Sequence, residues 1–319
     1  MARPDVAVIG GGAWGLALAG AAARSGGMTL LLSRRAQGTD GGALPAGVTV
    51  ARDASEVGAR ARLVILAVPS GVARAVARTL GEHLDGRHYV VHGVRGLVAG
   101  VDPGTALDTI AQVVRDETPV RRVGALGGPA LASDLLAGRP TVMVSGSRYP
   151  EVNRALADVF SSPTLRLVAT DDLLGLEWAS ALVGCLAIAV GYARAVGLGP
   201  GLLAAVITRA VEEAARVAAV AGGNERTLLG LAGYGDLLAS IEQTERPEVL
   251  VGAALARGKS LDQALADAGQ RVEAVEVASR VVAWAEARGA SVPIFGALAN
   301  GVLAGRGSRE LVQGLMTSA

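Results

Sequence analysis

From its start to about residue 168 the chain alternates short apolar runs, β-branched or leucine-rich, with alanine-rich segments of helical character. The runs are VAVIG from Val6, TLLL from Thr29, LVILAV from Leu63, YVVHGV from Tyr89, VGAL from Val123, TVMVS from Thr141 and LRLV from Leu165. Strands separated by helices predict an α/β fold, a doubly wound and mostly parallel sheet covered by helices on both faces. After Asp171 the strand signals stop. Apolar residues then recur at helical spacing through LLAAVITRAVEEAARVAAVAG from Leu202 and AVEVASRVVAWAEARG from Ala274. The expected division is therefore a first domain over residues 1–170 and an all-helical second domain over 171–319, whose helices are punctuated by the turns GLGPG and GNER.

Two uncharged stretches interrupt this pattern. Val6 to Ala23 follows Arg3 and ends in small residues, as a secretory signal does, but Gly10, Gly11 and Gly12 fit a strand, a tight turn and an alanine-rich helix better. ALVGCLAIAVG, from Ala181 to Gly191, lies between Glu177 and Arg194. Even extended from Ala179 to Ala193 it is shorter than the roughly 20 apolar residues of a bilayer crossing, so it predicts a buried helix and no membrane span.

Composition narrows the function classes. With 319 residues and 51 % hydrophobic content the chain can bury a large core. Thirty basic residues against 29 acidic ones give a formal charge of +1, so no overall field draws nucleic acid or anionic lipid. Cys185 is the lone cysteine, which excludes an internal disulfide and fits a reducing compartment, the cytoplasm. His83, His88 and His92 form no metal-ligand pattern. Lys259 is the one lysine among the basic residues.

Gly10, Gly12 and Gly15 form G-x-G-x-x-G between the first strand and a helix. The turn, a close approach to pyrophosphate and tight helix–strand packing each call for a glycine, so the loop points to a dinucleotide. An acid about 20 residues further on would meet a free ribose 2′-hydroxyl. Here stand Ser33, Arg34 and Arg35, with no acid before Asp40. Paired guanidiniums suit a 2′-phosphate, so NADP(H) is preferred and NAD(H) possible, the other reading being a solvated loop.

VIGGGAWGLALA (Val8 to Ala19), LAVPSGVARAVARTL (Leu66 to Leu80), GGPALASDLLAGRPT (Gly127 to Thr141), ITRAVEEAARVA (Ile207 to Ala218), GLAGYGDLLAS (Gly230 to Ser240) and GQRVEA (Gly269 to Ala274) occur in that order. Together they resemble the bacterial NAD(P)-dependent sn-glycerol-3-phosphate dehydrogenase family. The resemblance implies a Rossmann domain followed by a helical substrate domain. It also implies interconversion of dihydroxyacetone phosphate and sn-glycerol 3-phosphate. By match to the family motifs, Ala13, Trp14, Arg34, Ala132, Arg271 and Glu273 would contact the nucleotide. Gly128, Ala130 and Asp236 would line the substrate site. Asp236 could instead be a turn acid between glycines.

The sequence departs from that family where the chemistry is done. Hydride reduction of a ketone leaves an alkoxide that needs a proton or a positive charge. The family's A-x-K-N lysine and asparagine correspond to Val183 and Gly184, which offer neither. A second family lysine corresponds to Arg95 in GVRG, a cation able to clamp phosphate or polarise oxygen but a poor proton donor, so Arg95 counts among both cofactor and catalytic candidates. The family's S-R-N phosphate grip corresponds to Arg246, Pro247 and Glu248, which sets a carboxylate where a dianion would sit unless Arg246 turns inward to offset it.

His92, at the end of the fourth predicted strand and on the ligand-binding edge of such sheets, is the candidate acid beside Arg95 and Asp236, the other reading being a partly exposed structural histidine. Tyr234 and Ser180 are weaker candidates, and Cys185 reads as packing. The expected function is an NAD(P)H-dependent oxidoreductase acting on an altered carbonyl or imine substrate. The alternatives are a non-catalytic dinucleotide-binding sensor or structural partner, and residual activity on the family substrate. The expected partners are a small-molecule substrate and, by family habit, a second copy in a homodimer.

Overall fold

A computed structural model of the chain describes residues 5–34, 44–100, 107–243 and 245–306. The chain divides into two compact units, Met1–Val94 with Thr109–Leu176, and Arg95–Asp108 with Glu177–Ala319. The segment Arg95–Asp108 lies inside the first stretch marked out by periodicity, yet it clusters with the helical unit.

The first unit is built on strands β1 (Val6–Ile9), β2 (Thr29–Leu32), β3 (Val48–Val50), β4 (Leu63–Leu66) and β5 (Tyr89–His92). The antiparallel pair β6 (Val98–Ala99) and β7 (Leu107–Asp108) belongs to the other unit. β8 (Arg122–Gly127), β9 (Thr141–Gly146) and β10 (Leu165–Thr170) complete the sheet, in the order β10-β9-β8-β5-β4-β1-β2-β3. All neighbours are parallel except β8 and β9. β3 is absent from the predicted set because its VTV run is short and incompletely buried, as an edge strand can be. The central strands β1, β4 and β5 are buried along their whole length, which is why they read as unbroken apolar runs.

Helices α1 (Ala13–Arg24), α2 (Ala54–Arg60), α3 (Ser70–Gly81), α4 (Ile110–Glu117), α5 (Ala132–Ala137) and α6 (Pro150–Phe160) flank the sheet. Side chains of Asp53 and Thr109 cap α2 and α4 by accepting the Glu56 and Gln112 N–H groups. The core gathers Val8, Leu18, Ile65, Val91, Leu126 and Phe160. Each buried side chain of this size stabilises the fold by about 1.5–3 kcal/mol.

The second unit takes up most of α7 (Leu173–Ala195) and continues through α8 (Pro200–Val220), α9 (Glu225–Leu229), a π turn over Leu231–Gly235 and α10 (Asp236–Glu242). α11 (Pro247–Ala256), α12 (Leu261–Ala268), α13 (Ala274–Glu286), α14 (Pro293–Gly296) and a π turn over Ala297–Val302 follow. α7 is longer than its uncharged stretch because Leu173 to Trp178 extend it, giving 23 residues. It is long and apolar enough to cross a membrane by length and composition, yet 94 % of its most apolar window is buried within the protein. Small residues let α11 press onto it. A Cβ on Gly191 would lie 2.5 Å from the Val249 carbonyl oxygen, and one on Gly252 2.1 Å from that of Ile188, so the two backbones touch. That contact sets the first turn of α11 beside the middle of α7.

Candidate functional site

In the first unit the parallel strands end along one edge, where Ile9, Leu66, His92 and Ala125 stand in register. The order of strands reverses at β1, with β2 on one side and β4 on the other, and ligands of doubly wound sheets bind at such a point. The glycine loop leaves β1 here. Gly10 has φ of +120°, and a Cβ on it would lie 2.2 Å from the Ala67 carbonyl oxygen. One on Gly15 would lie 1.9 Å from the Gly10 oxygen. Both glycines are demanded by the protein's own backbone. Gly12 differs, since a Cβ there meets nothing within 4 Å. Gly12 and Ala13 are exposed at the start of α1, with neither a capping side chain nor an acid in its first turn. This end of the helix is open to an anion.

The neighbouring candidates share that edge. Trp14 lies across the end of β5, its Nε1 only 2.4 Å from where a Cβ on Gly93 would stand. Gly128, with φ of +90°, and buried Ala130 follow β8, and Ala132 opens α5. Arg34 is exposed after β2, while Arg35 falls outside the described residues. His92 is 2 % exposed, so it is a buried side chain. Its Nδ1 accepts the Val94 N–H at 3.4 Å, which leaves the ring proton of the neutral form on Nε2. Counting the strands it closes the fifth, because β3 precedes it.

In the second unit the π turn delivers Asp236 to the first position of α10, fully buried. Arg95 reaches it from 141 residues away, with Nη1 2.8 Å from Oδ2 and Nη2 donating to Oδ1 at 3.1 Å. Ser240, one turn on, donates through Oγ to the Asp236 carbonyl at 2.5 Å. Arg246 does turn inward, with a side chain 9 % exposed. Its Nη1 donates to Ser240 Oγ, and its Nε to Glu248 Oε2 at 2.8 Å. Burial pushes the Asp236 carboxyl up from its ordinary range, with Arg95 and Arg246 opposing the rise. Burial and then Arg95 pull the Arg246 guanidinium down, against Glu248 and Asp236. The turn acid is thus a buried, doubly paired carboxylate.

Other candidates lie apart from these four charges or are inert. Arg271 is exposed, its Nη2 donating to Glu276 Oε1 at 3.1 Å, and Glu273 is the residue before α13. Tyr234 is exposed. Cys185 is buried, its thiol pushed up by burial and by Glu248, with Sγ 3.3 Å from the Ala274 carbonyl oxygen. Val183 is buried on α7. Ser180 Oγ is buried with no hydrogen-bond partner among the described residues. No group of three or more His, Cys, Asp or Glu among the described residues could hold a metal ion.

Sequence reasoning passed over Ser240, although its i, i+4 spacing from Asp236 was available. It also passed over Glu213 on α8, a buried carboxylate that accepts the Ile294 and Phe295 N–H groups at 3.0 and 2.8 Å. Nothing local in the sequence marks that partner.

Residues 37–153 match the family model for the NAD-dependent glycerol-3-phosphate dehydrogenase N-terminus, and residues 172–313 the model for its C-terminus. A glycerol-3-phosphate dehydrogenase (NAD(P)+) of Teredinibacter turnerae is 32 % identical, the match covering 98 % of this chain and 95 % of that protein. One of Paracidovorax citrulli is 33 % identical over 91 % and 90 % of the two chains. The crystal structure of glycerol-3-phosphate dehydrogenase from Coxiella burnetii superposes with a TM-score of 0.87, at 25 % identity and 98 % coverage of both chains.

Proposed function

The chain belongs to the NAD-dependent glycerol-3-phosphate dehydrogenase family, and from that premise we propose an NAD(P)H-dependent reductase whose carbonyl or imine substrate carries no phosphate. The observation that carries this reading is the pairing of Arg246 with Glu248 inside the protein: Arg246 turns inward, but its Nε is spent on Glu248, so the carboxylate is neutralised without a cation left over for a phosphate dianion.

The glycine loop fits a nicotinamide dinucleotide, because Gly10 and Gly15 are closed by backbone while Gly12 stands open. When bound, that cofactor supplies the hydride. The open N-terminus of α1, exposed at Gly12 and Ala13, would hold the pyrophosphate, with Trp14 and Ala132 beside it and Arg271 and Glu273 as further nucleotide contacts. Arg34 and Arg35 would take the 2′-phosphate of NADP(H) in preference to NAD(H). Gly128, Ala130 and Asp236 belong to the proposed substrate side. Arg95, held on two oxygens by Asp236, would stabilise the negative charge that grows on the substrate oxygen. A guanidinium keeps its own proton, so the proton for the product comes from water or from His92 in its imidazolium form, in which Nδ1 no longer accepts the Val94 N–H. The buried, unpaired Cys185 suits the reducing cytoplasm in which we place the protein.

Titration with NADPH and NADH, followed in the same cuvette by a panel of phosphorylated and unphosphorylated carbonyl compounds, tests this. Tighter NADPH binding and turnover of about 1 per second or more on an unphosphorylated compound are expected. Binding without any turnover would favour a non-catalytic dinucleotide-binding protein, the reading that Val183 and Gly184 also support. No binding would overturn both.

A further inference from the structure

Gly11 is a glycine that the dinucleotide loop does not itself require. The G-x-G-x-x-G pattern places its glycines at Gly10, Gly12 and Gly15 and leaves position 11 open to any residue. The backbone makes no demand there either, because Gly10 is the residue of this loop with a positive φ. What excludes a side chain is Ser33. A Cβ on Gly11 would lie 2.4 Å from the Ser33 Oγ and 2.9 Å from its Cβ, and the second of these atoms is fixed to the chain and cannot swing aside. Ser33 is the first residue after β2, and the Gly10 N–H donates to the Leu32 carbonyl at 2.9 Å, which sets the end of β2 level with the start of the loop.

The end of β2 is where a doubly wound sheet meets the 2′ position of a dinucleotide's adenosine ribose. The place is open to solvent. Gly11 and Ser33 are half-buried, Gly12, Ala13 and Arg34 are exposed, and a Cβ on Gly12 would meet nothing within 4 Å. A carboxylate at this point accepts from a 2′-hydroxyl and repels a 2′-phosphate. A serine hydroxyl can donate to a phosphate oxygen, and a hydrogen bond to a charged group is stronger than one to a neutral hydroxyl.

Resting on the dinucleotide reading, we infer that Ser33 is a specificity-determining residue for the cofactor. Its hydroxyl, seated against Gly11, donates to the 2′-phosphate of NADP(H) and adds to the charge that Arg34 supplies. The missing side chain at Gly11 is the space that admits it.

The test is calorimetric titration of the whole protein with adenosine 2′,5′-bisphosphate and 5′-AMP, which differ in the 2′-phosphate alone, beside NADPH and NADH. Ser33→Ala should weaken the bisphosphate and NADPH about tenfold and leave AMP and NADH within about twofold. Ser33→Asp should weaken NADPH further and leave NADH as tight or tighter. Gly11→Ala crowds Ser33, so it should lower Tm and weaken NADPH. Gly11→Ala combined with Ser33→Gly removes the crowding and should recover most of the lost Tm without recovering the preference for NADPH. That split separates a hydroxyl that reads the ligand from one that merely packs. Equal weakening of bisphosphate and AMP by Ser33→Ala, or no change in either, would overturn the inference. So would a wild type that binds the two adenosine probes alike, or a double variant that binds NADPH as the wild type does. Failure of the wild type to bind any of the four probes would instead sink the dinucleotide reading.

Discussion

The glycine loop after β1 and the charge cluster around Asp236 are shaped by opposite means. At the loop the protein has removed side chains, and Gly10 and Gly15 are pressed against carbonyl oxygens that leave no room for one. At the cluster it has brought side chains together, two arginines and two carboxylates from segments far apart in the chain. A place made by removal depends on single atoms of volume and is written in a few adjacent residues. A place made by pairing depends on charge balance and is assembled by folding.

That contrast predicts different kinds of damage. The largest effect is expected from Gly15→Ala, whose new Cβ would meet backbone at 1.9 Å with no flexible side chain to yield. Loss of a cooperative melt, or destabilisation above the roughly 1–3 kcal/mol of ordinary overpacking, should be seen by circular dichroism. Asp236→Asn comes next. It leaves Arg95 and Arg246 facing a neutral group in a buried place, and a broken buried pair of this kind costs about 3–5 kcal/mol in denaturant titrations. Equal tolerance of both substitutions would remove the contrast.

Glu213 supplies the third prediction, as a buried carboxyl group with no arginine at hydrogen-bond distance among the described residues. Burial pushes it up from its ordinary 4.5 to about 7, against the Ile294 and Phe295 N–H groups and the Arg216 charge. Its folded form then holds the proton more tightly than its unfolded form. The resulting stability is fully present below about pH 4.5, falls as pH rises through about 7, and is absent above that. The wild type should therefore lose on the order of 3 kcal/mol relative to Glu213→Gln between these limits, read as the difference in Tm across the pH range.

The smaller effects concern the loop's open side. Gly12→Ala meets nothing within 4 Å, so its stability should change by about 1 kcal/mol or less while NADPH affinity falls tenfold or more by fluorescence titration. Arg34→Ala, at an exposed position, should leave stability within about 0.5 kcal/mol. It should weaken NADPH several-fold and NADH hardly at all.

Much of the first unit was legible beforehand, because a strand buried on both faces must be apolar throughout and a dinucleotide loop must place its glycines within six residues. The runs beginning at Val6, Leu63 and Tyr89 became β1, β4 and β5 for that reason. β3 escaped notice because an edge strand needs so little apolar sequence. The uncharged ALVGCLAIAVG stretch was correctly a buried helix, although the helix proved longer than the stretch.

The cluster was legible only in part. Asp236, Arg95, Arg246 and Glu248 were each noticed, but sequence spacing says nothing of a contact across 141 residues. Whether Arg246 faced inward to pair with Glu248, and that Glu248 would come near Gly184, depend on how α11 lies against α7. That placement follows from two glycines, Gly191 and Gly252, letting the helix backbones touch. Local patterns carry what a residue and its near neighbours must bury or expose. The pairing of charges is a property of distances between segments, and those distances exist only once the helices have packed.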